Sequence, residues 1–145
     1  MSAEADVNLK DFKSIFSLDG KVAVVTGGSR GLGLHAASGL LQAGCAQVFI
    51  TSRKEQACQE AVEALNNLGC KGKAISIPAD LSKSSDVDKL VEGVKKHTDH
   101  VDILIANAGA TWGAEFDEHP TDAFAKVMHL NVQSVFESIQ KYVYD

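Results

Sequence analysis

The run Thr26-Gly27-Gly28-Ser29-Arg30-Gly31-Leu32-Gly33 is the stretch of this chain best suited to chemistry done by backbone rather than by side chains. Its glycines permit positive φ and close approach of the main chain, so the N–H groups of the turn can converge on an anion. Ser29 and Arg30 add a hydroxyl and a guanidinium to the same turn. Immediately before it, Val22 to Val25 is continuously apolar, as suits a central parallel strand covered on both faces. After it, Leu34, Ala37, Leu40 and Leu41 recur at helical spacing, and Gly44 falls where a glycine commonly ends a helix. Strand, glycine turn and helix thus make one unit, whose helix N-terminus is an anion site. A tight turn without a ligand is the plain alternative.

The next strand narrows the anion. Ala46 to Thr51 reads as a second strand and is followed by Ser52, Arg53 and Lys54. In dinucleotide-binding folds an acidic residue about 20 positions after the glycine turn takes the ribose 2′-hydroxyl, and a basic residue accommodates a 2′-phosphate. Arg53 stands at that place with Ser52 beside it, and Arg30 lies in the turn. A guanidinium grips a phosphate through paired hydrogen bonds where a carboxylate would repel it. The expected cofactor is therefore NADP(H) rather than NAD(H). The alternative is that Arg53 is a solvated first-turn residue with Glu55 close by.

Thr26, Gly27, Gly31 and Gly33 follow the spacing Thr-Gly-x-x-x-Gly-x-Gly, which resembles the cofactor loop of the short-chain dehydrogenase/reductase family. The resemblance runs from about Leu18 to the end. It implies an α/β fold, a Rossmann-like doubly wound parallel sheet of which this chain is the amino-terminal half, in strand order 3-2-1-4. Asp80-Leu81 resembles the family's acidic step against the adenine ring, although Asp80 is equally well placed as a turn or capping residue. Asn107-Ala108-Gly109 matches the end of the family's Asn-Asn-Ala-Gly, with Ala106 as the departure. There the family's Asn steadies the central strand and its Gly lets backbone approach the cofactor. Asn131-Val132-Gln133-Ser134-Val135-Phe136 resembles the family's Asn-Val-x-Ser-x-Phe, in which the Asn kinks a helix and helps hold a relay water. The wording around Trp112 and Asn131 is most similar to 3-oxoacyl reductases of the rhamnolipid-pathway type.

What the resemblance implies in activity is NADP(H)-dependent reduction of a small-molecule ketone such as a 3-oxoacyl group. The family's proton chemistry belongs to a Ser on a following strand and a Tyr-x-x-x-Lys pair, in which Tyr is the donor. These are not found in the sequence, and Tyr142 comes too soon after Asn131 to be that tyrosine. A second reading is therefore a catalytically silent nucleotide-binding or interaction module from a truncated product.

The elements that would position these residues are legible from periodicity. Residues 1–17 read as an N-terminal extension, irregular over 1–8, with Leu9, Phe12, Ile15 and Phe16 forming amphipathic turns that pack on the domain of residues 18–145. Lys54 to Leu68 reads as a helix with Ala57, Ala61, Ala64, Leu65 and Leu68 on one face. Lys73 to Ile77 is a third strand, and Ser82 or Ser84 can cap a helix carrying Val87, Leu90, Val91 and Val94. Val101 to Ala106 is a fourth strand, preceded by His97, Asp99, His100 and Asp102, solvated junction residues rather than a metal cluster. Trp112 sits in a loop at a strand's carboxyl end, fitting either an acyl pocket or an anchoring aromatic. Pro120 to Tyr142 is the last helix, with Phe124, Val127, Met128 and Val135 on a core stripe that also contains Asn131. An amide so placed needs a specific partner. A second apolar row on that helix, Val132, Phe136, Ile139 and Val143, predicts a homo-oligomer through it.

Composition excludes other classes. The chain of 145 residues is 45% hydrophobic and 23% charged, enough for one domain with a core. Its net charge of −5, with Lys and Arg scattered, predicts neither a nucleic-acid nor an anionic-membrane partner. Glu4, Asp6 and Asp11 near the start argue against a targeting segment. Cys45, Cys58 and Cys70 lack zinc or disulfide spacing and read as reduced thiols of a cytoplasmic protein.

Overall fold

A computed structural model of the chain describes residues 11–143. The elements in order are α1 (Phe12–Ile15), β1 (Val22–Thr26), α2 (Gly31–Gln42), β2 (Gln47–Thr51), α3 (Glu55–Asn66), β3 (Lys73–Ser76), α4 (Ser84–Lys95), β4 (Ile103–Ile105), α5 (Thr121–Met128), a π-helical turn (His129–Gln133) and α6 (Ser134–Val143). The strands form one four-stranded sheet in the order β3-β2-β1-β4. Every pairing is parallel, with Val24 opposite Phe49 on one side and Leu104 on the other. The order expected from the sequence is the order observed.

β1 is the centre of the sheet and is buried along its whole length, because alternate side chains feed two separate apolar layers. Ala23 and Val25 pack with Val48 and Ile50 against α2 and α3, through Ala37, Leu41, Ala61 and Leu65. Val22 and Val24 pack with Phe49 against α4, through Val87, Leu90 and Val94. Each fully covered valine or leucine contributes about 1.5–3 kcal/mol relative to exposure. This double cover holds the carboxyl end of β1, where the glycine turn begins, on a fixed base.

The amino ends of β1 and β4 are tied by Asp102. Its carboxylate accepts from Lys21 Nζ at 2.8 Å and from the Val22 N–H at 2.8 Å. The hydrogen bond from Lys21, then that from Val22, hold its carboxyl below the usual range. His100 lies between Asp99 at 2.7 Å and Asp102 at 3.4 Å, and the hydrogen bond to Asp99 raises its pKa. His97 instead packs on the Phe49 ring. At the other edge, the Asn66 side chain bonds both the N–H and the carbonyl of Ala74, taking the place of a further strand beside β3.

Several expectations are corrected. Ile15 and Phe16, expected to be covered by the domain, are largely exposed on the single short turn of α1. Leu9, with the rest of residues 1–10, lies outside the described residues, as do Tyr144 and the side chains of Phe12 and Val143. The buried face of α3 is Cys58, Ala61 and Leu65, while Ala64 and Leu68 are exposed, because the apolar stripe is narrower than its alanine content suggests. Neither Ser82 nor Ser84 caps α4: Lys83 occupies the cap position, and Ser84 Oγ donates to Glu137 on α6.

The last helix departs most from its periodicity. Phe124 and Met128 are exposed, and the buried positions are Ala123, Ser134 and Ser138. Small residues, Ser134 and Ser138, let α6 approach α4 closely beside Leu130 and Tyr142; Val127 and Val135 are half-buried, and Phe124, Met128, Val132, Phe136 and Ile139 fall outside. A π-helical turn interrupts the helix at His129–Gln133.

Candidate functional site

The turn after β1 is built by a clamp across the sheet. Thr26 Oγ1 accepts from the backbone N–H groups of Asn107 and Ala108, each at 2.9 Å. Asn107 Nδ2 donates in return to the Thr26 carbonyl at 3.0 Å and to the Gly27 carbonyl at 3.3 Å. The exits of β1 and β4 are thereby fixed to one another. Gly27 takes φ +66, and the Gly28 N–H bonds the Thr51 carbonyl at 3.1 Å, which joins the turn to the end of β2 as well.

α2 starts directly from this turn with no side chain across its N-terminus. Arg30, at the cap position, is extended and makes no capping bond, and the first turn contains no acid. The orphan N–H groups of a helix start are normally met by such a side chain. Here they face the turn, and a negative group placed there is favoured by the helix dipole. Gly33 makes the geometry possible, since a Cβ on it would overlap the Gly27 carbonyl and lie 2.6 Å from Asn107 Nδ2.

In front of the turn runs a cleft of about 600 Å³ along the carboxyl ends of the strands. Gly27, Ser29, Arg30 and Gly31 line it from the turn, Ser52 and Arg53 from the end of β2, Asp80 and Leu81 from beyond β3, and Asn107, Ala108 and Gly109 from beyond β4. The remaining loop residues play other parts: Gly28 sits against Ile50, Gly33 lies beneath Gly27, and Leu32 projects outward at 82% exposure. Thr51, Lys54, Ala57, Ala79 and Leu130 also line the cleft and were not singled out from the sequence. Lys54 could have been, standing next to Arg53 with a charge of the same sign; the others carry no chemical signal of their own.

The charges are unequally distributed. Arg30, Arg53 and Lys54 face the cleft against the single carboxylate of Asp80. That carboxylate is engaged by its neighbour: Oδ1 accepts from Ser82 Oγ at 2.8 Å and from the Ser82 N–H at 3.2 Å. Burial pushes the Asp80 carboxyl up, but the Ser82 bonds together with Lys83 and Arg53 outweigh this and leave it below the usual range. Asp80 therefore closes a turn and lines the cleft at once. An uncapped helix start, guanidinium groups on one side and apolar Leu81 and Ala108 on another fit a phosphorylated dinucleotide.

Asn131 belongs to a second, shallow hollow on the far side of Gly109, which it shares with Ala110, Thr111 and Val135. It is exposed, not buried as the helical stripe suggested. Its amide nevertheless has a defined partner: Oδ1 accepts from the Ala110 N–H at 2.8 Å, and Nδ2 donates to the Ala110 carbonyl at 2.7 Å. This pair holds the loop after β4 against the π-helical turn. Trp112, further along that loop, is 56% exposed. Tyr142 packs in the layer beneath α4, where burial raises the pKa of its phenol. Among the described residues no cluster of His, Cys, Asp or Glu is poised to hold a metal, and no helix is long and apolar enough to cross a membrane.

The family model for short chain dehydrogenase matches residues 21–144. The chain belongs to this family. Among curated short-chain relatives it is 44% identical over 126 residues to a rhamnolipids biosynthesis 3-oxoacyl-[acyl-carrier-protein] reductase of Pseudomonas aeruginosa, covering 87% of this chain and 48% of that protein. It is 40% identical over 123 residues to 2-dehydro-3-deoxy-D-gluconate 5-dehydrogenase of Escherichia coli, covering 85% and 47%. The chain thus spans about half the length of the curated relatives it matches. Among solved structures, the Pseudomonas aeruginosa RhlG/NADP active-site complex superimposes with a TM-score of 0.82 at 43% identity, over 88% of this chain and 48% of that one. The L-sorbose reductase of Gluconobacter frateurii, complexed with NADPH and L-sorbose, gives 0.83 at 26% identity over the same shares. The parallel sheet and its strand order are those of the short-chain dehydrogenase fold.

Proposed function

We propose that residues 18–145 form the NADP(H)-binding part of a short-chain reductase acting on a small-molecule ketone such as a 3-oxoacyl group, with residues 1–17 as an extension outside it. The observation that carries this reading is the shared cleft: an uncapped helix start and the side chains of Arg30 and Arg53 converge on one space. The backbone of Gly27 to Gly31 would hold the pyrophosphate, and Arg53, with Arg30, the 2′-phosphate. Leu81 and Ala108 would flank the adenine and its ribose. When bound, the nicotinamide supplies or accepts a hydride. Gly109 and the Asn131–Ala110 pair shape the wall beyond which that end would lie. The 3-oxoacyl substrate class is supported by the relative from Pseudomonas aeruginosa, at 44% identity.

Titration of the chain with each cofactor tests the reading. NADPH should bind at least about tenfold more tightly than NADH, and Arg53→Ala should remove most of that difference while leaving NADH within about twofold. Equal affinities in the unaltered chain overturn the assignment.

We also infer self-association through the last helix. Phe124, Met128, Val132, Phe136 and Ile139 stand 44–64% exposed at three- and four-residue intervals along α5, the π-helical turn and α6. Large apolar side chains left exposed in such number on one helical segment are what an interface would cover. Light scattering at micromolar concentration should report a dimer or larger, and Phe136→Glu a monomer. A monomeric mass for the unaltered chain refutes the inference.

A further inference from the structure

The π-helical turn leaves a carbonyl to be satisfied, and the residue that satisfies it stands at the end of the turn. In an α-helix the N–H of residue 134 would bond the carbonyl of residue 130. Here the Ser134 N–H reaches back to the His129 carbonyl instead. The Leu130 carbonyl is taken by the Ser134 hydroxyl. Ser134 is 2% exposed, so no water substitutes for that bond.

We propose that Ser134 is a positioning residue for Asn131. By supplying through its side chain the bond that its backbone gives up, it makes the wider turn affordable in the interior. The wider turn in turn sets the angle at which Asn131 leaves the helix and meets Ala110. An ordinary α-helical turn would rotate residue 131 relative to α6 and pull its amide from the Ala110 N–H and carbonyl, now met at 2.8 and 2.7 Å. Ser138 offers the internal comparison. It is 1% exposed, and its hydroxyl likewise bonds the carbonyl four residues back, but it lies a turn beyond the π-helical segment. If buried hydroxyls merely stabilised this helix, the two serines would be equivalent.

The proposal extends the reading of a cofactor cleft, because the loop held by Asn131 includes Gly109 and borders that cleft. Its test does not depend on cofactor. Amide hydrogen exchange on the full chain, followed residue by residue by NMR without nucleotide, reads the Ala110 N–H directly. Ser134→Ala should accelerate exchange there about tenfold, whereas Ser138→Ala should change it less than about twofold. The double variant Asn131→Ala with Ser134→Ala should exchange no faster than Asn131→Ala alone, as expected of two residues acting through one contact. Unchanged exchange in Ser134→Ala, an equal effect of Ser138→Ala, or additive effects in the double variant would each overturn the assignment. Because the measurement uses the nucleotide-free chain, failure to bind NADPH leaves its outcome decisive.

Discussion

Replacing Gly33 by alanine should weaken NADPH binding by about 100-fold and cost about 3 kcal/mol in stability. One added methyl would meet the Gly27 carbonyl and the Asn107 amide, both of which belong to the clamp joining the exits of β1 and β4. Backbone cannot swing aside as a side chain can, so either the turn opens or α2 moves off the sheet. In both cases the N–H groups at the start of α2 lose the alignment on which a phosphate depends. Gly39, on the same helix, is the contrasting case: a Cβ there meets nothing within 4 Å. Gly39→Ala should therefore raise stability by about 0.5–1 kcal/mol through reduced backbone freedom in the unfolded chain and leave binding alone. Chemical denaturation and cofactor titration of the two variants measure both effects. A tolerated Gly33→Ala would show that the turn does not depend on this close approach.

Thr26→Val should cost about 2–4 kcal/mol although it preserves the shape of the side chain. The reason is that two N–H groups, of Asn107 and Ala108, converge on the single oxygen that valine lacks. Thr26 is 2% exposed, so water reaches these donors poorly once the hydroxyl is gone. Thr26→Ser keeps the acceptor and should recover most of the loss. Valine should also loosen Asn107 and Ala108 as walls of the cleft, and NADPH affinity should fall with stability. Denaturation midpoints for both variants decide the point; equal stability of Val and Ser at this position would remove the clamp from the account.

The two substitutions act on the same unit from opposite sides, and their effects should not add. Gly33 and Asn107 are in contact, Asn107 and Thr26 share hydrogen bonds, and mutually dependent contacts of this kind couple. The glycine turn is thus as much a product of β4 as of the β1–α2 connection in which its glycines are found.

What the amino-acid sequence determined without help was everything local and everything periodic. The apolar run of β1, the positive-φ glycines after it and the amphipathic pattern of α2 lie within one continuous stretch, so the strand, the turn and the helix could be read directly. The same holds for Arg53 at the end of β2 and for the valines and leucine of α4, all four buried as their spacing implied. Alternating strands and helices implied a parallel sheet, and its order 3-2-1-4 was implied by the family resemblance. Tertiary structure decided what depends on a partner distant in the chain. Thr26 and Asn107 are 81 residues apart, and nothing in either neighbourhood states that one hydroxyl receives both N–H groups. Where α6 meets α4 the buried positions fell to Ser134 and Ser138, beside half-buried Leu130 and Tyr142, while Phe124 and Met128 on α5 stand outside against the hydropathy pattern. Asn131 turned out exposed and bonded to Ala110 because a π-helical turn breaks the 3.6-residue period from which its position had been inferred. Periodicity reports which residues share a face only while the helix stays regular, and only a neighbouring element decides which face is covered.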